Sequence, residues 1–256
     1  MWLDIPFEIG ILVGVYLIYG FCKSGLGLAE KSALAYKHAL DIVHLEKTLG
    51  IFVEPHVQSF FLETSFRIDL ANSMYTFGYY PPLFLFAIWA YWRHRDKYRT
   101  MRTVFLISST LAFICFALYP TAPPRFFDGN NPGAENLGFV DSLVTYWGVG
   151  GPSSHRFYNP YAAMPSCHLA WALMIGVGIW WMTKSRWGRA IGVMLPTIML
   201  VGIVATANHF ILDAVGGAAL LGISIGLAAL FYRLKDRLAE RKQTVSECCE
   251  EIPPAI

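Results

Sequence analysis

Apolar residues along this chain gather into blocks long enough to cross a bilayer, separated by basic links or proline-rich turns. A crossing helix needs roughly 20 mostly apolar residues to span about 30 Å of hydrocarbon. The blocks that approach this length are Ile5–Phe21 (slightly short), Met74–Trp92, Thr103–Leu118, Cys167–Thr183, Ala190–Ala207 and His209–Phe231. Pro81-Pro82 either kink the second block or mark its true start. Pro120, Pro123 and Pro124 end the third abruptly, because a helix cannot continue through them. Between the first and second blocks the pattern changes. Ala33–Lys47 and Pro55–Phe66 carry apolar residues such as Leu34, Leu45, Phe60 and Phe61 at helical spacing, which predicts amphipathic helices on the membrane surface or capping the bundle. His38, His44 and His56 on this stretch are read as surface residues. Gly222 and Gly226 are spaced to permit close helix contact.

The fold class this predicts is all-α: a polytopic membrane bundle of about six transmembrane helices, with amphipathic surface helices between the first and second. Composition agrees, since 55% hydrophobic against 15% charged residues excludes an ordinary soluble domain. Residues 1–232 are expected to form a single integral membrane domain, and 233–256 a charged, disordered cytoplasmic tail. The N-terminal block lacks a basic start and a small-residue cleavage site, so it is read as a retained helix. Cys22, Cys115, Cys167, Cys248 and Cys249 show neither a disulfide framework nor a zinc signature.

Net charge of +2 selects no partner and gives no reason to expect nucleic acid, but the placement of charge orients the chain. Arg93, Arg95, Lys97, Arg99 and Arg102 lie in the second-to-third link, Lys184, Arg186 and Arg189 in the fourth-to-fifth, and Arg233, Lys235, Arg237, Arg241 and Lys242 in the tail. With six spans these regions share one side, which the positive-inside rule makes cytoplasmic. Both termini are then cytoplasmic, in a plasma or inner membrane.

Three polar motifs fall on the opposite, outer face. Pro165-Ser166-Cys167-His168 reads as a helix start: proline is favoured near a first turn, Ser166 is a good cap, and the free N–H groups and positive dipole end suit an anion. Taken alone it reads first as a capped helix with an incidental histidine. Asn208–Asp213 places His209 and Asp213 at i and i+4, able to touch on one helical face. An aspartate holding one imidazole nitrogen leaves the other free as base or nucleophile, and ionisable side chains in a membrane point to function. The other reading is a buried pair that satisfies itself. Arg125 follows the proline turn. Spans four and five are antiparallel, so the 41 residues between His168 and His209 return the chain to the same level. Residues 126–163 form a loop longer than connections usually are without a functional reason.

Three segments resemble the motifs of the type-2 phosphatidic acid phosphatase superfamily, most closely the branch containing inositol phosphorylceramide synthases. They are Pro120–Arg125, Ala163–Ala172 and Thr206–Gly217, and the similarity covers a catalytic core of about 75–231. The chain departs from the phosphatases of the superfamily where it has Leu118 in place of a lysine, Gly202-Ile203 in place of a Ser-Arg pair, and Cys167 in place of a glycine. The departures favour phosphotransfer from diesters over monoester hydrolysis. The resemblance implies a cofactor-free, metal-free mechanism: His209 attacks phosphorus, Asp213 orients it, and His168 protonates the leaving oxygen and then activates an acceptor. Arg125 and the N–H groups around Ser166 hold the phosphate, with His155 and Arg156 as candidates for the missing positive charge, or simply as solvated loop residues. The implied partners are a membrane lipid substrate and an alcohol acceptor. A lipid or polyprenyl phosphate phosphatase, a transporter or scaffold reusing the bundle, and a metal site built from His168, His209 and Asp213 are the competing readings.

Overall fold

The computed structural model describes residues 28–129, 135–149 and 159–250, together with Glu8, Gly10, Val13 and Gly14. These residues form α1 (Leu28–Leu49), α2 (Glu54–Leu62), α3 (Ser65–Phe77), α4 (Tyr80–Arg93), α5 (Arg95–Leu118), a 3-10 turn (Pro124–Phe126), α6 (Ser142–Trp147), α7 (Cys167–Met182), α8 (Arg186–Ala205) and α9 (Ile211–Glu250). Among the described residues there is no strand, only an isolated parallel bridge between Thr121 and Ala162. The architecture is an all-α membrane bundle. By length and composition α5, α8 and the Ile211–Arg241 part of α9 can cross a membrane, and α7 is a shorter apolar helix of 16 residues. Most of the expected first span lies outside the described residues. Within it, Glu8 accepts from the Tyr98 hydroxyl at 3.0 Å and pairs with Arg102.

The block Met74–Trp92 is divided. α3 ends at Phe77, with the Gly78 N–H returning to Met74 O at 2.9 Å, and α4 begins at Tyr80 with Pro81 and Pro82 in its first turn. Proline suits that position because the N–H it lacks has no intrahelical acceptor there. The pair therefore marks a start. At the other end of the chain, the residues read as a tail from 233 continue α9 as helix to Glu250.

Helices α7, α8, α9 and α5 pack together, and α3 lies on α8. A Cβ at Gly176 would collide with the Gly192 carbonyl, so α7 and α8 touch backbone to backbone. Among the described residues, nothing stands within 4 Å of where a Cβ of Gly222 or Gly226 would be, so the contact their spacing permits is not made with those residues. Gly176 and Gly217 make the backbone approaches instead. Tyr79, Phe116, Trp171, Met199 and Ile203 fill the middle of the bundle, and the Trp171 indole donates to Ser108 Oγ at 3.1 Å. A second apolar cluster, with Ala39, Ile42, Val43, Phe127, Phe139 and Phe210, seats α1 over the end where α5 finishes and α7 and α9 start.

The opposite end carries the basic links. Lys97 Nζ donates to Trp181 O at 2.8 Å, the Trp180 indole donates to Arg189 O at 3.1 Å, and Trp92, Trp180, Trp181 and Trp187 are exposed. Such a girdle of aromatic and cationic side chains suits a membrane–water boundary.

Candidate active site

The three polar motifs are stitched together by backbone before any side chain is considered. Thr121 N–H donates to Tyr161 O at 2.9 Å and Ala163 N–H to Thr121 O at 3.3 Å, joining the proline turn to the segment ahead of α7. Arg125 N–H donates to Ala207 O at 2.8 Å, joining the proline turn to the α8–α9 corner. Ser166 N–H donates to Asp213 O at 2.9 Å, which closes the triangle. Gly217 makes the last link possible: a Cβ there would stand closer than 3.0 Å to Ser166 O, with Ser166 C at 3.2 Å and Ala170 N at 3.4 Å. At the corner, Ala207 has φ of 52°. A left-handed alanine costs on the order of 1 kcal/mol, and here it lets the N–H groups of Asn208 and His209 both reach Ile203 O, at 2.9 and 3.2 Å.

On this frame His168 and His209 meet, with Nδ1 of the first 3.2 Å from Nε2 of the second. His209 is 4% exposed, and its Nδ1 lies 2.8 Å from Ala163 O and 3.5 Å from Asp213 Oδ2. A carbonyl oxygen only accepts, so Nδ1 of His209 carries the proton and Nε2 presents a lone pair. The proton between the two rings then belongs to His168 Nδ1. Tyr75 and Tyr79 enclose the His168 ring, their centroids 4.8 and 4.7 Å from it.

Arg125 leaves the 3-10 turn 5% exposed, donating from Nη1 to Asn208 Oδ1, with Nε 3.3 Å from Asp141 Oδ2. Asn208 is itself fixed by its amide nitrogen, which donates to Thr206 Oγ1 at 2.7 Å. Asp141 belongs to the part of the long loop that is pinned to the helices. Gln58 exchanges two hydrogen bonds with Val140, Asn72 accepts from Ser142 Oγ at 2.7 Å, and the Trp147 indole donates to Asp69 at 2.8 Å. Ser166 is the N-cap of α7, its Oγ accepting from Leu169 N–H at 3.4 Å, so His168 sits in the first turn.

His209 itself precedes α9, which starts at Ile211. Its contact with Asp213 therefore comes from the corner as well as from helical spacing. Asp213 Oδ2 also accepts from Phe210 N–H at 2.9 Å, as an acidic residue in a first turn reaches back to the cap. Of the positions read as departures from the phosphatases, Leu118 is 76% exposed on the outside of α5, and Ile203 is fully buried in the core. Among the described residues, no group of three or more His, Cys, Asp or Glu is arranged to hold a metal ion. His155 and Arg156 lie outside the described residues.

Several neighbours were not singled out from the sequence. His38, read as a surface residue, is half-buried, with Nδ1 2.8 Å from Pro120 O and its ring stacked on Tyr119 at 3.8 Å. Glu46 and Glu54 are fully buried and accept from Leu212 N–H at 2.7 Å and Ile211 N–H at 2.9 Å. The signal for Glu46 was available: it follows Ala39, Ile42 and Val43 at helical spacing, so it stands on the apolar face of α1.

A family model described as the PAP2 superfamily matches residues 40–227, and the chain belongs to that superfamily. With its apolar helices this makes it an integral membrane protein. Among curated proteins it is similar to phosphoinositol dihydroceramide synthase of Bacteroides thetaiotaomicron, 26% identical over 216 residues that cover 75% of this chain and 65% of that protein's length. The chain thus spans a little under two thirds of that relative. No solved structure matches it.

Proposed function

We propose that this protein is a membrane lipid phosphotransferase that works through a phosphohistidine on His209. The observation that carries the proposal is the 3.2 Å contact between His168 Nδ1 and His209 Nε2 beside the buried Arg125. A lone pair on His209 Nε2 faces a proton on His168, which is the complementary pair that nucleophile and general acid require. A phosphate entering between the rings replaces their contact. His209 Nε2 forms the N–P bond as the bond from phosphorus to the leaving oxygen breaks, and His168 gives that oxygen its proton. The acceptor alcohol then returns a proton to His168 as its oxygen takes phosphorus and the N–P bond breaks. Asp213 and Ala163 O together hold the Nδ1 proton and the positive charge that grows on the ring. Arg125 and the N–H groups at the start of α7 take the phosphate oxygens, since phosphoryl transfer rests on positioning and charge stabilisation.

The described site is poor in cations, which supports a diester carrying a single negative charge over a monoester dianion. The similarity to a phosphoinositol dihydroceramide synthase supports transfer of an inositol-phosphate head group to a long-chain alcohol of the ceramide type. The basic links at the far end of the bundle support an active site on the extracytoplasmic face, with the termini cytoplasmic. A cysteine placed at position 186 is expected to resist impermeant label in intact cells, and labelling there from outside would reverse the orientation. For the reaction, purified protein is given phosphatidylinositol labelled in its head group, with and without ceramide. Label appearing in the sphingolipid supports transfer. Stoichiometric release of inorganic phosphate from a monoester, unaffected by any acceptor, would make the protein a phosphatase.

A further inference from the structure

The start of α9 is held by carboxyl groups from three places. Phe210 N–H goes to Asp213, Ile211 N–H to Glu54 on α2, and Leu212 N–H to Glu46 on α1, at 2.9, 2.9 and 2.7 Å. The first N–H groups of a helix lack intrahelical acceptors, so each of these bonds meets a need. All three side chains are 0% exposed. We infer that Glu46 and Glu54 are positioning residues for the transfer reaction, a carboxyl pair that shares one proton and clamps the first turn of α9 so that His209 keeps its place against His168. The inference rests on the reading of His209 as nucleophile.

Charge and hydrogen bonding both require the shared proton. Three ionised carboxylates here would crowd the positive end of one helix, equivalent to roughly half an elementary charge. Among the described residues, the charged groups that act on Glu46 are Glu54 on α2 and Asp213 on α9, both acidic. Glu46 and Glu54 are within hydrogen-bonding reach of one another. Their Oε1 atoms serve the backbone, while both Oε2 atoms are buried and find no donor among the described residues. A single proton between the two carboxyl groups gives one a donor and the other an acceptor, and removes both deficits. Consistent with this, desolvation and the neighbouring Glu54 push Glu46 up to about 9.

The clamp begins two residues after the nucleophile. Glu54 grips Ile211 and Glu46 grips Leu212, while His209 and Phe210 form the corner immediately before them. Opening the clamp frees the first turn of α9 and with it the corner that aims His209. Because α1 and α2 come from the stretch between the first two spans, the amphipathic helices complete the site as well as cover the bundle.

The sign of the pH effect separates this from a pair of ionised caps. A carboxyl whose pKa is raised on folding adds most stability below its unfolded value, and that stability is lost as pH rises through the folded value near 9. Ionised caps on a helix N-terminus would show the reverse, becoming more stabilising as pH rises through the acid range. The test compares wild type with Glu46→Gln, Glu54→Gln and the double variant. A glutamine keeps the acceptor for the backbone N–H and supplies a permanent donor toward the partner. Each single variant is therefore expected to fold and to keep kcat/KM within about 3-fold of wild type at pH 7. The double variant sets two amide donors face to face and is expected to lose activity by about 10-fold or more. Wild type should show an alkaline fall in kcat/KM near pH 9 that Glu46→Gln lacks, and the stability of wild type relative to Glu46→Gln should decline between pH 4.5 and 9. An unfolded Glu46→Gln protein, a double variant equal to the singles, or an alkaline limb unchanged by Glu46→Gln would each overturn the clamp. The melting comparison needs no substrate. Failure of the catalytic reading would show as absent turnover with the pH-dependent stability difference intact, and failure of the clamp as a flat difference in an active enzyme.

Discussion

Replacing Gly217 by alanine tests whether the backbone triangle sets the catalytic geometry. The new Cβ would stand closer than 3.0 Å to Ser166 O, with Ser166 C at 3.2 Å and Ala170 N at 3.4 Å. All three are backbone atoms at the start of α7, so no side chain can turn aside. Relief requires α7 and α9 to separate there by about 1 Å, and overpacking of this kind costs about 1–3 kcal/mol. Alanine also gains up to about 1 kcal/mol of helix propensity over glycine, so the net loss of stability is about 0–2 kcal/mol and the protein should still fold. Activity should respond far more strongly. Ser166 bonds Asp213 O across this contact and caps the helix carrying His168, so the shift moves His168 away from His209. A misplacement of about 1 Å between reacting groups costs about 100-fold in rate. Gly222→Ala is the control, because among the described residues nothing lies within 4 Å of its Cβ position, which leaves the propensity gain. The assay is head-group transfer in detergent micelles, paired with thermal melts of both variants. A Gly217→Ala enzyme with wild-type kcat, or a Gly222→Ala enzyme as impaired as Gly217→Ala, would refute the geometric reasoning.

The remaining expectations concern side chains proposed to act on phosphorus or to hold those that do. His209→Ala and His168→Ala should each lower turnover by on the order of 10⁴-fold with little further loss in the double variant, because groups that act as a unit are not additive; normal turnover by His209→Ala would remove it as nucleophile, and trapping of labelled phosphate on wild type but not on that variant is the direct check. Asp213→Asn should lose most activity as well, since an amide stabilises the charged ring less than a carboxylate does. Asn208→Ala removes the acceptor for Arg125 Nη1 inside the protein, and a hydrogen bond to a charged group is worth about 1.5–3 kcal/mol. That corresponds to a fall of about 10- to 150-fold in kcat/KM, and unchanged kinetics would show that Arg125 keeps its position without Asn208.

Much of this molecule was legible along the chain because membrane and helix signals are local. Runs of apolar residues must satisfy their backbone internally, so the blocks at Thr103–Leu118, Ala190–Ala207 and His209–Phe231 could only be helices. Capping is local too, and Ser166 before Cys167 announced the start of α7 through its own side chain. The pairing of His168 with His209 followed from span counting, since antiparallel helices of similar length return the chain to one level. Tertiary structure alone decided how the motifs interlock. The Arg125 to Ala207 bond, the Ser166 to Asp213 bond and the grip of Ala163 O on His209 Nδ1 all end on backbone carbonyls, and a backbone carbonyl leaves no mark in a sequence. The partition of Asp213 between His209 and the Phe210 N–H, and the anchoring of Arg125 by Asn208, were equally invisible, because spacing shows which groups can meet and not which bond each one makes. The sharpest case is Glu46 and Glu54. Periodicity places Glu46 on an apolar face, but only the packing of α1 and α2 over the start of α9 reveals what a buried carboxylate is there to bind.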